Sequence, residues 1–487
     1  MSSFVSSNGH ITTDVKSVVK NKTACAYASH FQSSSEYSRT NYWNVNFASR
    51  NFNNNNKNNS NSVRPVVALG EDTIEGWIEA RDDCYRHKLS SPQCDAWRAT
   101  RGEEDLWSLM QEVYTRTYEP SKSICFVVSR PKPREIFAAD FRDRIVQHWV
   151  CLRLNPLFEQ YFNAAGNVSF NCRKGYGVDK AIERIVYNTK KVSREYTEDA
   201  YYLKIDIKSF FMSVDGEIMW RQIHSLIEEE YHGEDKDTLL YLTEKIVRHR
   251  PQKHCERKGR LHLWNDLPEG KSLFDIQEWR GMPIGNITSQ LFANYHLCGF
   301  DEWSVEVCSE NGATYQRFVD DILIVSKDKE FALRYMREAS AKLSRELKLR
   351  LHPNKVYLQH VSKGVKMLGR VVKPNRVYSA GTVMGGLNDA FAEVDMECER
   401  AVKGRGDMRK LSYMCDSINS YLGFLSHTQS YAIRRRWFAR MEWFWKVFTA
   451  RGDFLAVSLR KKYEYSRLLT KKENQIWNGL LEWKLPT

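Results

Sequence analysis

The chain has 487 residues, of which 42% are hydrophobic and 13% aromatic, so most of it should be globular, as one large multi-lobed domain or two to three ordinary domains. Its formal net charge of +13, from 73 Lys and Arg against 60 Asp and Glu, favours a polyanionic partner such as nucleic acid. A basic soluble enzyme with no such partner has the same charge balance.

Cysteine usage and hydropathy indicate the cellular compartment in which the protein is expected. The eleven cysteines are scattered and include no C-x-x-C pair, which predicts reduced thiols in a cytoplasmic protein. The first twenty residues have no apolar signal-peptide region, and no run of 18 apolar residues occurs. We therefore expect neither a signal peptide nor a membrane span.

In chain order, a polar leader comes first. Residues 1–70 are rich in Ser and Asn and have little periodicity, which predicts disorder. Apolar residues then recur every three or four positions, which predicts helices in “DTIEGWIEARDDCYRHKL”, “EEDLWSLMQEVYTRTY” and “FRDRIVQHWVCLRLNPLFEQYF”. Between the second and the third of these, “SICFVVSRP” predicts a short strand that ends at a proline.

The rest of the chain alternates strand and helix patterns. Strands are predicted by the start of “AYYLKIDIKSFFMSV”, by both halves of “TYQRFVDDILIVSKD”, and by “VYLQHVS” and “GVKMLGRVV”. An amphipathic helix is predicted by “FALRYMREASAKLSRELKL”. From about Gly385 onward the pattern predicts helices rich in Arg and Trp. The predicted fold class is α+β with a helical C-terminal lobe.

Three acidic residues stand at the ends of predicted strands. Asp206 closes the run “YYLKID”, and Asp320 and Asp321 separate two apolar runs in “FVDDILIV”. Burying such charges is costly unless they are paired or bound to metal, so we expect the pair at the tip of a hairpin. An ordinary acidic turn would also explain the pair. If the three carboxylates converge, they could hold two Mg²⁺ ions for nucleotidyl transfer.

Seven segments resemble, in order, the fingers and palm motifs of reverse transcriptases. They are “PKPREIFAADFRDRIVQH”, “NVSFNCRKGYGVDKAI”, “YLKIDIKSFF”, “GMPIGNITSQLFANYHL”, “YQRFVDDILIV”, “LRLHPNKVYL” and “GVKMLGRVV”. The resemblance implies a right-hand polymerase fold and RNA-directed DNA polymerase activity. It places fingers and an antiparallel palm sheet in residues 71–384 and a helical, basic thumb in 385–487.

One motif indicates which group of reverse transcriptases the chain resembles most. Most reverse transcriptases carry Q-G-x-x-x-S-P, whereas residues 284–290 read I-G-x-x-x-S-Q, which is similar to the enzymes of diversity-generating retroelements. The segments “LPEGKSLF” and “SINSYLGFLSHTQSYAIRRRW” resemble the same group. Members, encoded by bacteria or phages, copy a template-repeat RNA into cDNA with errors at adenines, and the cDNA diversifies a target gene. The resemblance thus implies template RNA, cDNA, dNTPs and an oligomeric accessory variability protein as partners.

The resemblance also assigns the catalytic residues. Asp206, Asp320 and Asp321 would carry two Mg²⁺ ions, with direct ligation by the first two and a further ligand from the carbonyl of Ile207. Lys355 would protonate the pyrophosphate leaving group. The alternative for Lys355 is an ordinary surface lysine.

Nucleotide-binding residues are implied in three segments. The first segment contains four basic residues, Lys132, Arg134, Arg142 and Arg144. One or two of them would bind the triphosphate, and the candidates are Lys132 and above all Arg134. At least two of the four would be solvated charges on a helix. Phe211 would exclude a ribose 2′-hydroxyl, unless it is a core aromatic beside Phe210. Gly285 and Gln290 also fall at the nucleotide site.

Two further assignments follow from the motifs. Met367, Leu368 and Gly369 match the primer grip, although Met367 replaces a commoner aromatic. Ile284 stands where most family members have a glutamine that can hydrogen-bond near the template and the incoming nucleotide. Isoleucine cannot form that bond, which offers a physical source of low fidelity unless the exchange affects packing alone.

The leader suggests a further hypothesis. Eight of the twelve residues from Asn51 to Ser62 are asparagine, and His30–Leu69 resembles the tail of a C-type-lectin-fold variable protein. Asparagine codons are rich in adenine, so a template meant for mutation at adenines would encode such runs. We interpret residues 1–70 as a translated template repeat. A plain linker and a lectin-like adaptor remain alternatives.

Two other functions fit parts of the pattern. A defence-type or group II intron-like reverse transcriptase would share the palm motifs. An inactive palm could serve as an RNA-binding scaffold, but such a scaffold would not need three converging acids.

Overall fold

The computed structural model describes residues 71–86, 97, 102–129, 132–277 and 279–464, together with the backbone of three short leader strands. Those strands, Phe31–Glu36, Asn41–Asn46 and Asn51–Asn56, pair as a three-stranded antiparallel sheet. The prediction of disorder for the remainder of residues 1–70 lies outside the described residues.

The elements follow one another as the sequence patterns predict over most of the chain. The strands are β1 to β3 in the leader and then β4 Ser123–Val128, β5 Arg134–Ala138, β6 Tyr201–Asp206, β7 Cys255–Arg257, β8 Thr314–Phe318, β9 Asp321–Ser326, β10 Tyr357–His360, β11 Val365–Met367, β12 Arg370–Lys373, β13 Arg376–Ser379, β14 Phe448–Arg451 and β15 Ala456–Leu459. The helices are α1 Glu71–Arg86, α2 Gly102–Tyr114, α3 Phe141–Ala164, α4 Val178–Val192, α5 Phe210–Ser213, α6 Gly216–Glu230, α7 Lys236–Arg248, α8 Ile287–His296, α9 Cys298–Glu310, α10 Lys329–Leu347, α11 Gly381–Val402, α12 Met408–Ser426, α13 Tyr431–Phe438 and α14 Phe444–Val447.

The central sheet has the strand order β10-β6-β9-β8, and all its neighbours are antiparallel. One face, with Ile205 and Ile324, packs into the main core beneath the long helix α3. The other face, with Tyr202 and Leu323, packs against Ile185 of α4. Because both faces are covered, β9 reads as a continuous apolar run rather than as an alternating strand.

A second sheet lies on the N-terminal side and has the order β5-β4-β7. Its β4–β5 pair is an antiparallel hairpin, whereas β7 joins from far along the chain and runs parallel to β4. Helix α3 begins just after β5, where the side chain of Asp140 accepts a hydrogen bond from the backbone N–H of Arg142 at 3.2 Å and caps the helix. The sequence patterns did not predict β7.

The C-terminal region has a hydrophobic core of its own, to which Leu387, Ile418 and Phe444 contribute. The expectation of an entirely helical lobe is wrong here, since β14 and β15 form an antiparallel hairpin. The side-chain amide of Asn419 on α12 bonds both the backbone N–H (2.7 Å) and the carbonyl (2.8 Å) of Val457, so a contact between elements holds this hairpin. Within the described residues, no helix combines the length and the apolar character needed to cross a membrane.

Candidate active site

The three predicted acids meet at one end of the central sheet. Asp206 ends β6 and Asp321 begins β9, and the antiparallel register places these two residues directly opposite each other. Asp320 lies in the turn between β8 and β9, and its carbonyl accepts a hydrogen bond from the backbone N–H of Ile207 at 3.2 Å. The acidic hairpin tip therefore lies beside the end of the strand that carries the third acid.

The turn that presents Asp320 is strained. Val319 has a φ of +57°, a left-handed conformation that a β-branched residue rarely adopts. Two neighbours hold it, since the side-chain oxygen of Asn171 accepts from the Val319 N–H at 2.8 Å and Arg317 donates to the Val319 carbonyl at 3.0 Å. Strained backbone that is fixed in this way is common at functional sites.

Lysines balance two of the acids. The ammonium of Lys355 lies 2.8 Å from Oδ2 of Asp206, and that of Lys204 lies 2.9 Å from Oδ1 of Asp321. Burial, together with the neighbouring charges of Asp206 and Asp321, raises the pKa of Asp320 to about 6. The negative charge of Asp320 is therefore disfavoured by burial and by the two neighbouring carboxylates.

The donor set suits a divalent cation of the Mg²⁺ type. In the part of the chain that the structure describes, no three metal-ligating side chains are already grouped as a metal cluster. The carboxylates are nevertheless oxygen donors of the kind Mg²⁺ prefers, and a cation would relieve the repulsion at Asp320. Ile207 is fully buried beside them, and ligation by its carbonyl remains a prediction.

Phe211 follows Asp206 by five residues and contacts the segment that precedes the I-G-x-x-x-S-Q motif. Its ring is partly buried and meets Phe210 edge-on, with 5.5 Å between the ring centroids. Its carbonyl accepts from the backbone N–H of Met282 at 2.7 Å. The contact with Phe210 fits the alternative of a core aromatic, and the role of Phe211 as a steric gate stays a prediction.

The motif itself docks on strand β5. The carbonyl of Ile284 accepts from the N–H of Phe137 at 2.8 Å, and the Ile284 side chain packs on a small apolar cluster that includes Phe137. Gly285 has a φ of +126°, and a Cβ there would lie 2.7 Å from the Phe137 carbonyl, so a side chain would clash. Gln290 is exposed on α8, where its side-chain oxygen accepts from the Cys172 thiol at 3.2 Å.

The structure divides the four basic residues of the first fingers motif. Lys132 and Arg134 are exposed at the start of β5. Arg142 is bound to Glu112, and Arg144 donates to the Ala139 carbonyl at 2.8 Å. Lys132 and Arg134 therefore remain the candidates for triphosphate contacts.

The primer-grip residues lie at the end of β11 and in the turn between β11 and β12. The side chain of Met367 is buried in the cluster on one face of the central sheet. Leu368 and Gly369 have φ values of +51° and +77° and are both half-buried in the turn. The primer-grip role of Met367, Leu368 and Gly369 stays a prediction.

One basic residue near the acids was missed by the sequence analysis. Lys271 is partly buried, and burial lowers its pKa. Its charged neighbours are Asp320, Lys355, Asp206 and Arg134, with Asp320 contributing most among them. Lys271 lies in the segment “LPEGKSLF”, whose residue spacing does not indicate contact with the acids.

Comparison with known proteins places this geometry in a family. The model of the family described as reverse transcriptase (RNA-dependent DNA polymerase) matches residues 129–372, which is half of the chain and includes all three acids. The Escherichia coli (strain K12) protein YkfC is 22% identical over 307 residues, which cover 56% of this chain and 73% of YkfC.

Solved telomerase structures are also similar. The apo telomerase of Candida tropicalis truncated from its C-terminal domain has a TM-score of 0.40 at 13% identity, covering 57% of this chain. The chain spans 60% of the length of that telomerase. A Candida albicans telomerase in complex with a fragment of telomeric RNA has a TM-score of 0.39 at 10% identity, covering 74% of this chain and 73% of its own.

The family match agrees with the antiparallel central sheet and with the acids at its end, and it confirms the predicted right-hand polymerase fold. The chain belongs to the reverse transcriptase (RNA-dependent DNA polymerase) family.

Proposed function

We propose that the chain is an error-prone RNA-directed DNA polymerase that makes adenine-mutagenised cDNA from a template-repeat RNA. The observation that carries the polymerase activity is the meeting of Asp206, Asp320 and Asp321 at the joined ends of β6 and β9. The diversifying role is supported by the I-G-x-x-x-S-Q form of residues 284–290.

In this proposal Asp206, Asp320 and Asp321 hold two Mg²⁺ ions. When bound, these ions would activate the primer 3′-hydroxyl and neutralise charge on the triphosphate. The chain's own residues orient the reactants: Arg134 binds phosphate oxygens at the exposed end of β5, and Lys355 holds a proton beside Asp206 that can pass to pyrophosphate. Phe211 leaves no room for a ribose 2′-hydroxyl, which favours dNTPs.

The thumb supplies a surface for RNA or for the accessory protein. On and just after α13, Arg435, Arg436 and Arg440 are exposed, whereas Phe438 is buried in the C-terminal core. Exposed guanidinium groups suit phosphate contacts, while the aromatic residues stabilise the lobe. The exposure of these arginines supports their role as contacts for the template-repeat RNA or for the accessory variability protein oligomer.

Fidelity should depend on Ile284. We expect Ile284→Gln to lower the error frequency opposite template adenines by about 3- to 10-fold, because an amide can restore a hydrogen bond near the nascent pair. Sequencing of the cDNA measures this. Ile433→Gln, the same exchange at an exposed thumb position, should leave the spectrum unchanged. An unchanged error spectrum in Ile284→Gln would show that the residue affects packing alone.

The leader hypothesis has a separate test. If residues 1–70 are a translated template repeat, the DNA around the gene should contain a second copy of this region that differs at adenine positions. The absence of any such copy would contradict the hypothesis and would favour a linker or an adaptor.

The proposal is tested by primer extension with the purified chain on its own template-repeat RNA, with and without the accessory protein. We expect Mg²⁺-dependent cDNA whose errors are concentrated opposite adenines. Faithful cDNA would retain the polymerase and remove the diversifying role, leaving a defence-type or group II intron-like enzyme. If no condition gives product while the chain binds the RNA, the inactive scaffold is the better interpretation.

A further inference from the structure

The segment 251–277, between α7 and the I-G-x-x-x-S-Q motif, is built into the fingers side of the site. Its strand β7 adds to β4 in parallel, and the backbone N–H of Lys258 donates to the Cys125 carbonyl at 2.7 Å. The guanidinium of Arg257 lies over the ring of Phe274, with 3.8 Å from its central carbon to the ring centroid. The segment is therefore anchored to the sheet that carries Arg134.

A buried carboxylate makes the strongest anchor. Glu135 on β5 is fully buried, and it accepts three hydrogen bonds from the segment: from the Ser272 hydroxyl at 2.9 Å, the Leu273 N–H at 2.7 Å and the Trp264 indole N–H at 2.8 Å. Such a charge is costly to bury unless it is bonded in this way. Because Lys271 directly precedes Ser272 and Arg134 directly precedes Glu135, this contact holds the backbone at Lys271 close to the backbone at Arg134 on β5.

Apolar packing around Leu273 also holds this segment in place. Leu273 lies in a small buried cluster with Phe137 of β5 and Met212 of α5, the residue after Phe211. A Cβ at Gly281 would lie 2.7 Å from Cδ2 of Leu273, so the chain passes closely over this side chain. The position of Lys271 is thereby set relative to both the fingers strand and the helix that follows Asp206.

Lys271 differs from the other lysines of the site. Lys355 and Lys204 are each bound to an acid, whereas the Lys271 ammonium has no salt-bridge partner among the residues that the structure describes. It is partly buried, and its charged neighbours are Asp320, Asp206, Lys355 and Arg134. It is thus an unengaged cation held beside the catalytic acids.

We propose that Lys271, held in place by Glu135, binds the triphosphate of the incoming nucleotide together with Arg134. This inference rests on the proposed polymerase function. A lysine ammonium is a compact point charge that suits phosphate oxygens. Since the loop is fixed before the nucleotide arrives, little ordering of the chain is lost on binding. Lys271 would contact the substrate, and Glu135 would be a positioning residue.

The test measures the affinity for the incoming nucleotide under conditions in which the nucleotide is not incorporated. The full chain is bound to its template RNA with a dideoxy-terminated primer, so that a matching dNTP is held but not incorporated, and the apparent Kd of the dNTP is determined in Mg²⁺. We expect Lys271→Ala to weaken dNTP binding by about 10- to 100-fold, as for a lost charged hydrogen bond. Lys271→Arg should restore most of the affinity because it retains the charge. The control is Lys258→Ala, an exposed lysine of the same segment that pairs with Glu256 at 3.6 Å.

The outcomes separate this inference from the function on which it rests. Unchanged dNTP affinity in Lys271→Ala, with normal binding by the wild type, overturns the role of Lys271 and leaves the polymerase intact. A variant that needs more Mg²⁺ but binds dNTP normally once Mg²⁺ saturates also overturns it, because Lys271 then balances the charge of Asp320. A wild-type chain that neither binds nor incorporates dNTPs overturns both proposals.

Discussion

Asp320→Asn is expected to reduce primer extension by more than about 100-fold while leaving the fold at least as stable as the wild type. The loss of activity follows because the substitution removes one of the three carboxylates proposed to bind metal. The stability follows because burial, together with the neighbouring charges of Asp206 and Asp321, raises the pKa of Asp320 and so disfavours its charged form. An amide of the same shape removes that repulsion. Single-nucleotide incorporation rates and thermal unfolding midpoints of the same preparations measure the two effects.

The matched control is Glu338→Gln on the exposed face of α10, which also removes one negative charge. It should change neither the incorporation rate nor the unfolding midpoint. If Asp320→Asn retains wild-type rates, the acidic hairpin is only a turn and the assignment of its carboxylates fails. A large fall in the unfolding midpoint would instead indicate that Asp320 is structural.

Arg317→Met should destabilise the protein by about 3–5 kcal/mol, because it leaves a buried aspartate without its partner. Arg317 is fully buried on β8, and its Nη2 lies 2.5 Å and its Nε 2.7 Å from the carboxylate of Asp301 on α9. The same guanidinium donates to the carbonyls of Asn294 at 3.2 Å and Val319 at 3.0 Å. It therefore joins α8, α9 and the turn that presents Asp320. Chemical denaturation measures the loss.

The double variant Arg317→Met/Asp301→Asn tests the physical reason. Removing the uncompensated charge should recover part of the stability lost in Arg317→Met. A double variant that is no more stable than the single one would show that lost packing, and not the buried charge, causes the destabilisation. Lys180→Ala breaks an exposed pair with Glu183 and should leave the free energy of unfolding nearly unchanged.

The local pattern of the chain was enough to predict the end of the sheet where the acids lie. The apolar runs before Asp206 and around Asp320 and Asp321 have the length and composition of strands, and charged residues between such runs are expected at a hairpin tip. The C-terminal hairpin was not predicted. Its strands have four residues each, and their position depends on hydrogen bonds from Asn419 on a distant helix.

Sequence by itself therefore determined the motif order, the central strands and the identity of the acids, because these depend on residues close together in the chain. Tertiary structure alone decided which partner each of several cations has and placed Lys271, which the sequence did not indicate, beside the acids. In the folded chain Lys355 pairs with Asp206, and Arg142 binds Glu112. The buried Glu135 holds the segment that carries Lys271. Glu135 and Ser272 lie 137 residues apart, and no local periodicity encodes a hydrogen bond over that separation.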